Sequence, residues 1–179
     1  EFDRPLGNKL SSDMRYDVGA IPFYWEDETT ITFLAGNKGA TGVFQVSFDQ
    51  PKPGIKTIWY DPRQNATAIT KVKNTAVVQK CSPTKPSNLY LFDGTVEPGN
   101  QFHPMTDFNN WLGRSEKFSY KGDKDWNIEG WLLYPPGYNE GDKRPTVLFI
   151  HGGPHGVYGT AFRFEFQIFA SKGYVVLYT

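Results

Sequence analysis

The first part of the chain, up to about Phe92, is a series of short apolar runs separated by Gly, Pro, Asn and Asp. Ile31–Ala35, Val43–Phe48, Ile55–Tyr60, Ala66–Val72, Ala76–Lys80 and Leu89–Phe92 each carry β-branched or aromatic residues. Asn37-Lys38-Gly39, Pro51–Gly54 and Asp61-Pro62 supply turns between them. The pattern predicts strands throughout and no long helix before Pro98. A faint repeat runs through it: Val43–Asp49 is echoed by Asn88–Asp93 about 44 residues later, and Ile31–Leu34 by Ala76–Gln79 about 45 later. A period near 45 with four strands per unit suits the blades of a β-propeller, and an antiparallel sandwich gives similar spacing, so the pattern leaves both open.

The pattern changes across a connector rich in Pro, Gly and Asn, Glu97 to Leu112, which predicts a boundary between residues 1–112 and residues 113–179. Glu116–Tyr120 and Asn127–Tyr134 read as strands joined by the polar turn Lys121–Asp125, and a loop with Pro135-Pro136-Gly137 follows. Thr146–Ile150 is apolar on consecutive positions, as expected of a strand covered on both faces, and His151-Gly152-Gly153-Pro154 ends it sharply. Thr160 is placed to cap a helix with apolar positions Phe162, Phe166, Phe169 and Ala170, Lys172 in its last turn and Gly173 just beyond. A second apolar strand, Tyr174–Tyr178, follows at once. Strand, helix, strand with both strands buried is one βαβ unit of a mostly parallel sheet.

Composition narrows the function classes. At 179 residues the chain is one domain or parts of two, on a scale of about 150 residues per domain. Lys plus Arg equals Asp plus Glu at 19 each, so there is no net charge to draw a polyanion, and nucleic acid is not an expected partner. Aromatic residues make up 16% of the chain, which excludes wholesale disorder. The single cysteine, Cys81, excludes both an internal disulfide and a cysteine zinc site. No apolar run approaches the roughly 20 residues of a membrane-spanning helix, so no membrane partner is expected. The chain opens Glu1-Phe2-Asp3-Arg4-Pro5, without a signal-peptide pattern, and stops at an apolar strand, which reads as an internal fragment.

The loop His151-Gly152-Gly153-Pro154 is the candidate for chemistry. After a buried strand and before a helix, acyl-transfer enzymes of the α/β-hydrolase type build half of their oxyanion hole. Glycine suits that task because a backbone N–H must approach the developing oxyanion to about 2.7–3.1 Å without a side chain in the way. Against this stands a plain tight turn with glycines chosen for shape. His151 and His155 stand four apart, but two glycines and a proline between them preclude the helix that zinc ligation at that spacing needs, so no metal and no cofactor is expected. His103 reads as a surface residue of the connector, and Ser82, Ser115 and Ser171 as turn or helix-end residues. Asp123 and Asp125 form a charged turn. Asn65-Ala66-Thr67 fits a glycosylation sequon.

Three segments carry a more specific likeness: Glu129–Tyr138; Thr146–Ile150 with His151-Gly152-Gly153-Pro154-His155-Gly156; and Phe164–Gln167 with Ala170–Val176. Together they resemble the start of the catalytic domain of the prolyl oligopeptidase family of serine peptidases, closest to its acylaminoacyl-peptidase and dipeptidyl-peptidase branch. Asp107–Leu112 resembles the segment that leads into that domain. The resemblance implies the last blades of a β-propeller, with the connector, over 1–112, and the N-terminal part of an α/β-hydrolase domain over 113–179. It implies hydrolysis of short or N-blocked oligopeptides through an acyl-enzyme. No Gly-x-Ser-x-Gly occurs in the chain, and the triad order Ser, Asp, His places all three residues downstream of the oxyanion loop. Only the loop carries over: Gly153 as N–H donor, Gly152 shaping the turn, His151 and Pro154 bracing it. The expected partners are an oligopeptide substrate and the remainder of the hydrolase domain, and self-association is compatible with the reading. The expected setting is cytoplasmic, with secretion as the alternative. An esterase on the same fold and a non-catalytic propeller interaction module remain rival readings.

Overall fold

A computed structural model of the protein describes residues 23–49, 51–92, 111–152 and 156–179. Three sheets account for almost all of its regular structure. The first is antiparallel, in the order β1 (Phe23–Trp25), β2 (Thr30–Asn37), β3 (Ala40–Ser47) and β4 (Ile55–Trp59). The second is antiparallel too, in the order β5 (Asn65–Val72), β6 (Thr75–Ser82) and β7 (Lys85–Phe92). The third is mixed and holds β8 (Ser115–Lys121), β9 (Asn127–Leu133), β10 (Thr146–Phe149) and β11 (Val175–Tyr178) in the order β10-β11-β9-β8. The helix α1 (Phe164–Ser171) carries the chain from β10 to β11, which pair in parallel. Among the described residues no helix is long and apolar enough to cross a membrane.

Each predicted strand is present, and the described residues before the connector hold no helix. The faint repeat has a structural counterpart. β6 begins 45 residues after β2, and β7 begins 45 after β3. Both pairs are antiparallel hairpins closed at equivalent positions, Asn37 opposite Ala40 and Ser82 opposite Lys85. The second hairpin then slips by one residue at an irregularity between Lys80 and Ser82, so beyond the turn the two copies pair differently. In the first hairpin Lys38 and Gly39 both have positive φ, 49° and 76°, the geometry that two-residue hairpin loops favour.

The first two sheets share a core. Leu34, Val43, Ile58 and Trp59 of the first pack with Ala66, Ile69, Ala76 and Val78 of the second. The other face of the first sheet buries Ile31, Phe33, Phe44 and Val46. A separate core fills the third sheet: Trp131, Leu133, Val176 and Tyr178 against Phe166 and Ala170 of α1. Trp131 and Tyr178 stack at 5.9 Å with their planes 9° apart. Fully burying side chains of this size stabilises by about 1.5–3 kcal/mol each, which makes this cluster the anchor of the parallel unit.

Two expectations about that unit are corrected. β11 is buried as predicted, but β10 is the edge of the described sheet, with Leu148 53% and Ile150 73% exposed. The residues of β10 alternate between exposed and half-buried: α1 packs through Phe166 and Phe169 on Phe149, and among the described residues nothing covers the opposite face. Thr160 does not cap the helix either. α1 starts at Phe164 behind Arg163, which makes no side-chain capping bond, and Phe162 lies outside it. The Thr160 hydroxyl is engaged in longer-range bonds instead. At the other end Gly173 adopts φ +90° and its N–H reaches the Ala170 carbonyl at 2.9 Å, the glycine stop that the sequence signals.

Candidate functional site

The loop after β10 begins at the carboxyl end of a strand whose parallel partner is β11, the position at which open α/β sheets bind ligands. His151 is half-buried and Gly152 exposed. Gly153, Pro154 and His155 lie outside the described residues, as does His103 of the connector. The Nδ1 of His151 lies 3.1 Å from the Gly152 carbonyl, so a proton on Nδ1 would be donated to that oxygen. Gly156 lies close to this turn. A Cβ on Gly156 would stand 2.8 Å from the Gly152 carbonyl oxygen and 3.0 Å from His151 Nδ1, so only glycine fits there without a shift. A Cβ on Gly152 would meet nothing within 4 Å, which leaves its outer side open.

Behind the loop stands an aromatic wall. His151 meets Tyr158 edge-on at 6.4 Å, and Tyr158 in turn meets Phe166 at 5.1 Å and Tyr178 at 6.2 Å. The Arg163 guanidinium lies over the Tyr158 ring at 5.2 Å. Burial pushes the Tyr178 phenol up to about 12, against a lowering hydrogen bond with Ser115. Through Tyr158 the His151 ring is thus linked to the core of the third sheet. Among the described residues no serine hydroxyl is hydrogen-bonded to a histidine. Ser171 donates to the Ile168 carbonyl at 2.8 Å at the end of α1, Ser82 accepts from the Thr84 N–H at 3.4 Å in a hairpin turn, and Ser115 opens β8.

Two polar groupings escaped the sequence reading. The first joins the sheets. Asn65, wholly buried, accepts the Thr41 N–H on its side-chain oxygen at 2.6 Å. Gln167 of α1 is buried between the Gly113 N–H and the Pro83 carbonyl. Because Asn65 is enclosed, a glycan on its sequon is incompatible with this fold. The second lies on the first sheet. The Glu26 carboxylate accepts the Thr32 hydroxyl at 3.0 Å and pairs with the Lys71 ammonium. Burial alone would raise the Glu26 carboxyl, but hydrogen bonds from Lys71, Tyr24 and Thr32 and the Lys71 charge hold it below its usual range. Neither grouping has a signature in the sequence, since the partners are 24 to 84 residues apart in the first and up to 45 in the second.

No protein-family model matches the chain. It is 26% identical over 168 residues to the uncharacterized peptidase YuxL of Bacillus subtilis, a match covering 88% of this chain and 24% of that protein. It is 32% identical over 162 residues to a probable dipeptidyl-peptidase 5 of Aspergillus niger, covering 86% of this chain and 22% of that one. Among solved structures it resembles an acylaminoacyl peptidase held in complex with Z-Gly-Gly-Phe-chloromethyl ketone. There the TM-score is 0.66 and the identity 26%, over 87% of this chain and 24% of that one. The chain thus spans about a quarter of the length of the proteins it matches. These likenesses bear out the resemblance seen in the sequence as far as its peptidase branch: the chain is similar to peptidases, dipeptidyl-peptidase 5 and acylaminoacyl peptidase among them.

Proposed function

We propose that the chain forms propeller blades and the first strands of the hydrolase domain of a serine peptidase that cleaves short or N-blocked oligopeptides. The observation that carries the proposal is the parallel β10–α1–β11 unit with His151 and Gly152 at the carboxyl end of β10, in a chain that matches peptidases along most of its length. The 45-residue recurrence of paired hairpins with a shared core supports propeller blades for the first two sheets. The blocked peptide ketone bound by the similar acylaminoacyl peptidase supports a peptidyl substrate.

In this reading a serine outside residues 1–179 attacks the scissile carbonyl, and a histidine takes its proton and returns it to the leaving amine. An aspartate orients that histidine. As the carbonyl oxygen becomes an oxyanion, the Gly153 N–H and the N–H after the serine hold it. Gly152 leaves the approach clear, and His151 and Pro154 brace the turn. No metal or cofactor takes part. The propeller lies over the site and admits only oligopeptides.

The test is active-site labelling. The whole protein is treated with a fluorophosphonate and the modified peptide mapped by mass spectrometry. One labelled serine outside residues 1–179 is expected, together with hydrolysis of a chromogenic peptide. A label on Ser82, Ser115 or Ser171 would contradict the proposal. No label and no hydrolysis would favour a non-catalytic interaction module.

A further inference from the structure

We infer that Asn65 and Thr160 are positioning residues that mount the loop after β10 on the first two sheets. The catalytic consequence of this mounting rests on the peptidase reading above. An oxyanion donor is useful only if held within about 0.5 Å of its working position. A long loop without regular structure needs outside support for that.

The support is concentrated at residues 159–162. Thr160 donates its backbone N–H to the Gly39 carbonyl at 2.8 Å. Its hydroxyl has one hydrogen to share between that same carbonyl, at 3.3 Å, and the Asn65 side-chain oxygen, at 3.5 Å. Asn65 Oδ1 also takes the Thr41 N–H at 2.6 Å, so one amide oxygen serves the hairpin between β2 and β3 and the loop together. Two residues on, the Phe162 N–H points to Cys81 Sγ at 3.4 Å, at the end of β6.

The packing allows no slack at this point. Gly159 has φ +55°, and a Cβ there would lie 2.0 Å from the Gly39 carbonyl oxygen. Thr160 and Asn65 are 2% and 0% exposed, so water cannot substitute for either partner without opening the junction. Neither residue belongs to His151-Gly152-Gly153. Each acts through the backbone that leads from that turn to α1.

The experiment uses the whole protein with Asn65→Ala, Thr160→Val and Thr160→Ser. Turnover of a chromogenic peptide is read well below each variant's melting temperature, alongside amide hydrogen exchange of the 156–162 segment. Asn65→Ala and Thr160→Val should lower kcat roughly 10-fold or more, with KM changed by less than about twofold, and should speed exchange in that segment. Thr160→Ser, which keeps the hydroxyl, should recover most of the rate. Wild-type kcat or unchanged exchange in a folded Asn65→Ala protein would overturn the inference. If Asn65→Ala does not fold, the Thr160 pair decides by the same criteria. If the wild-type protein cleaves no peptide, the peptidase reading falls, and exchange alone decides: faster exchange upholds the mounting and unchanged exchange overturns it.

Discussion

The side chain of Gln167, in the middle of α1, donates to the carbonyl of Pro83 at 2.8 Å across 84 residues of sequence. Its oxygen accepts the Gly113 N–H at 3.0 Å, so a single buried amide ties the helix to the second sheet and to the entry of the third. Gln167→Leu keeps the volume but orphans a donor and an acceptor. It should cost about 1–3 kcal/mol in urea unfolding. Gln167→Glu should cost at least as much, because a carboxylate cannot donate to Pro83. A loss below about 0.5 kcal/mol in both would show that water replaces the amide.

Three glycines separate backbone conformation from crowding. Gly54 has an ordinary φ and open space around it, so Gly54→Ala should be neutral or stabilise by about 0.4–1 kcal/mol. Gly137 has φ +73° and open space, so Gly137→Ala should cost about 1–2 kcal/mol. Gly159 has the positive φ and a backbone carbonyl in the way as well, and Gly159→Ala should cost the most of the three. Thermal melting of the set checks the order. A Gly159→Ala protein no less stable than Gly137→Ala would contradict the close approach to Gly39.

Alkaline pH should loosen the fold through two tyrosines. Burial pushes the Tyr178 phenol up to about 12, and burial together with the neighbouring Glu26 does the same to Tyr24. Each keeps its proton in the folded state while the unfolded chain releases it near 10.0. Stability is therefore full below pH 10 and falls as pH rises from 10 towards 12. Tyr178 alone should account for about 1 kcal/mol by pH 11. Urea midpoints at pH 9 and pH 11 check this, and Tyr178→Phe should flatten the dependence. An equal slope in that variant would move the cause elsewhere.

How much of this was legible follows from the range over which each signal acts. Alternation in Val43–Phe48 or Ala66–Val72 is local and announces a strand, and Gly173 announces the end of α1. β1 is only Phe23–Trp25, beside the acidic Glu26-Asp27-Glu28, and too short to show a period. The apolar run of β10 showed a strand, but its exposure depends on neighbours that a run cannot specify. Thr160 resembled a cap because capping is the local use of threonine ahead of a helix. Its actual partners, Gly39 and Asn65, lie 121 and 95 residues away. The same distance hid Gln167, whose helix position gave no sign of a buried amide. The turn at His151-Gly152 stood out because glycine-rich punctuation after a buried-looking strand is local, whereas the junction at Thr160 is assembled from residues of the first two sheets that are distant in sequence.

Gly153 is the residue on which the proposed chemistry depends most directly. In the whole protein Gly153→Val should reduce kcat on a chromogenic peptide by roughly 10²–10³, because one oxyanion donor of the proposed pair contributes about 2.7–4 kcal/mol to transition-state stabilisation. His103→Ala, in the connector, should leave kcat near the wild-type value. Melting temperatures of both variants control for folding. A folded Gly153→Val enzyme with wild-type kcat would contradict the account and reduce the loop to a structural turn.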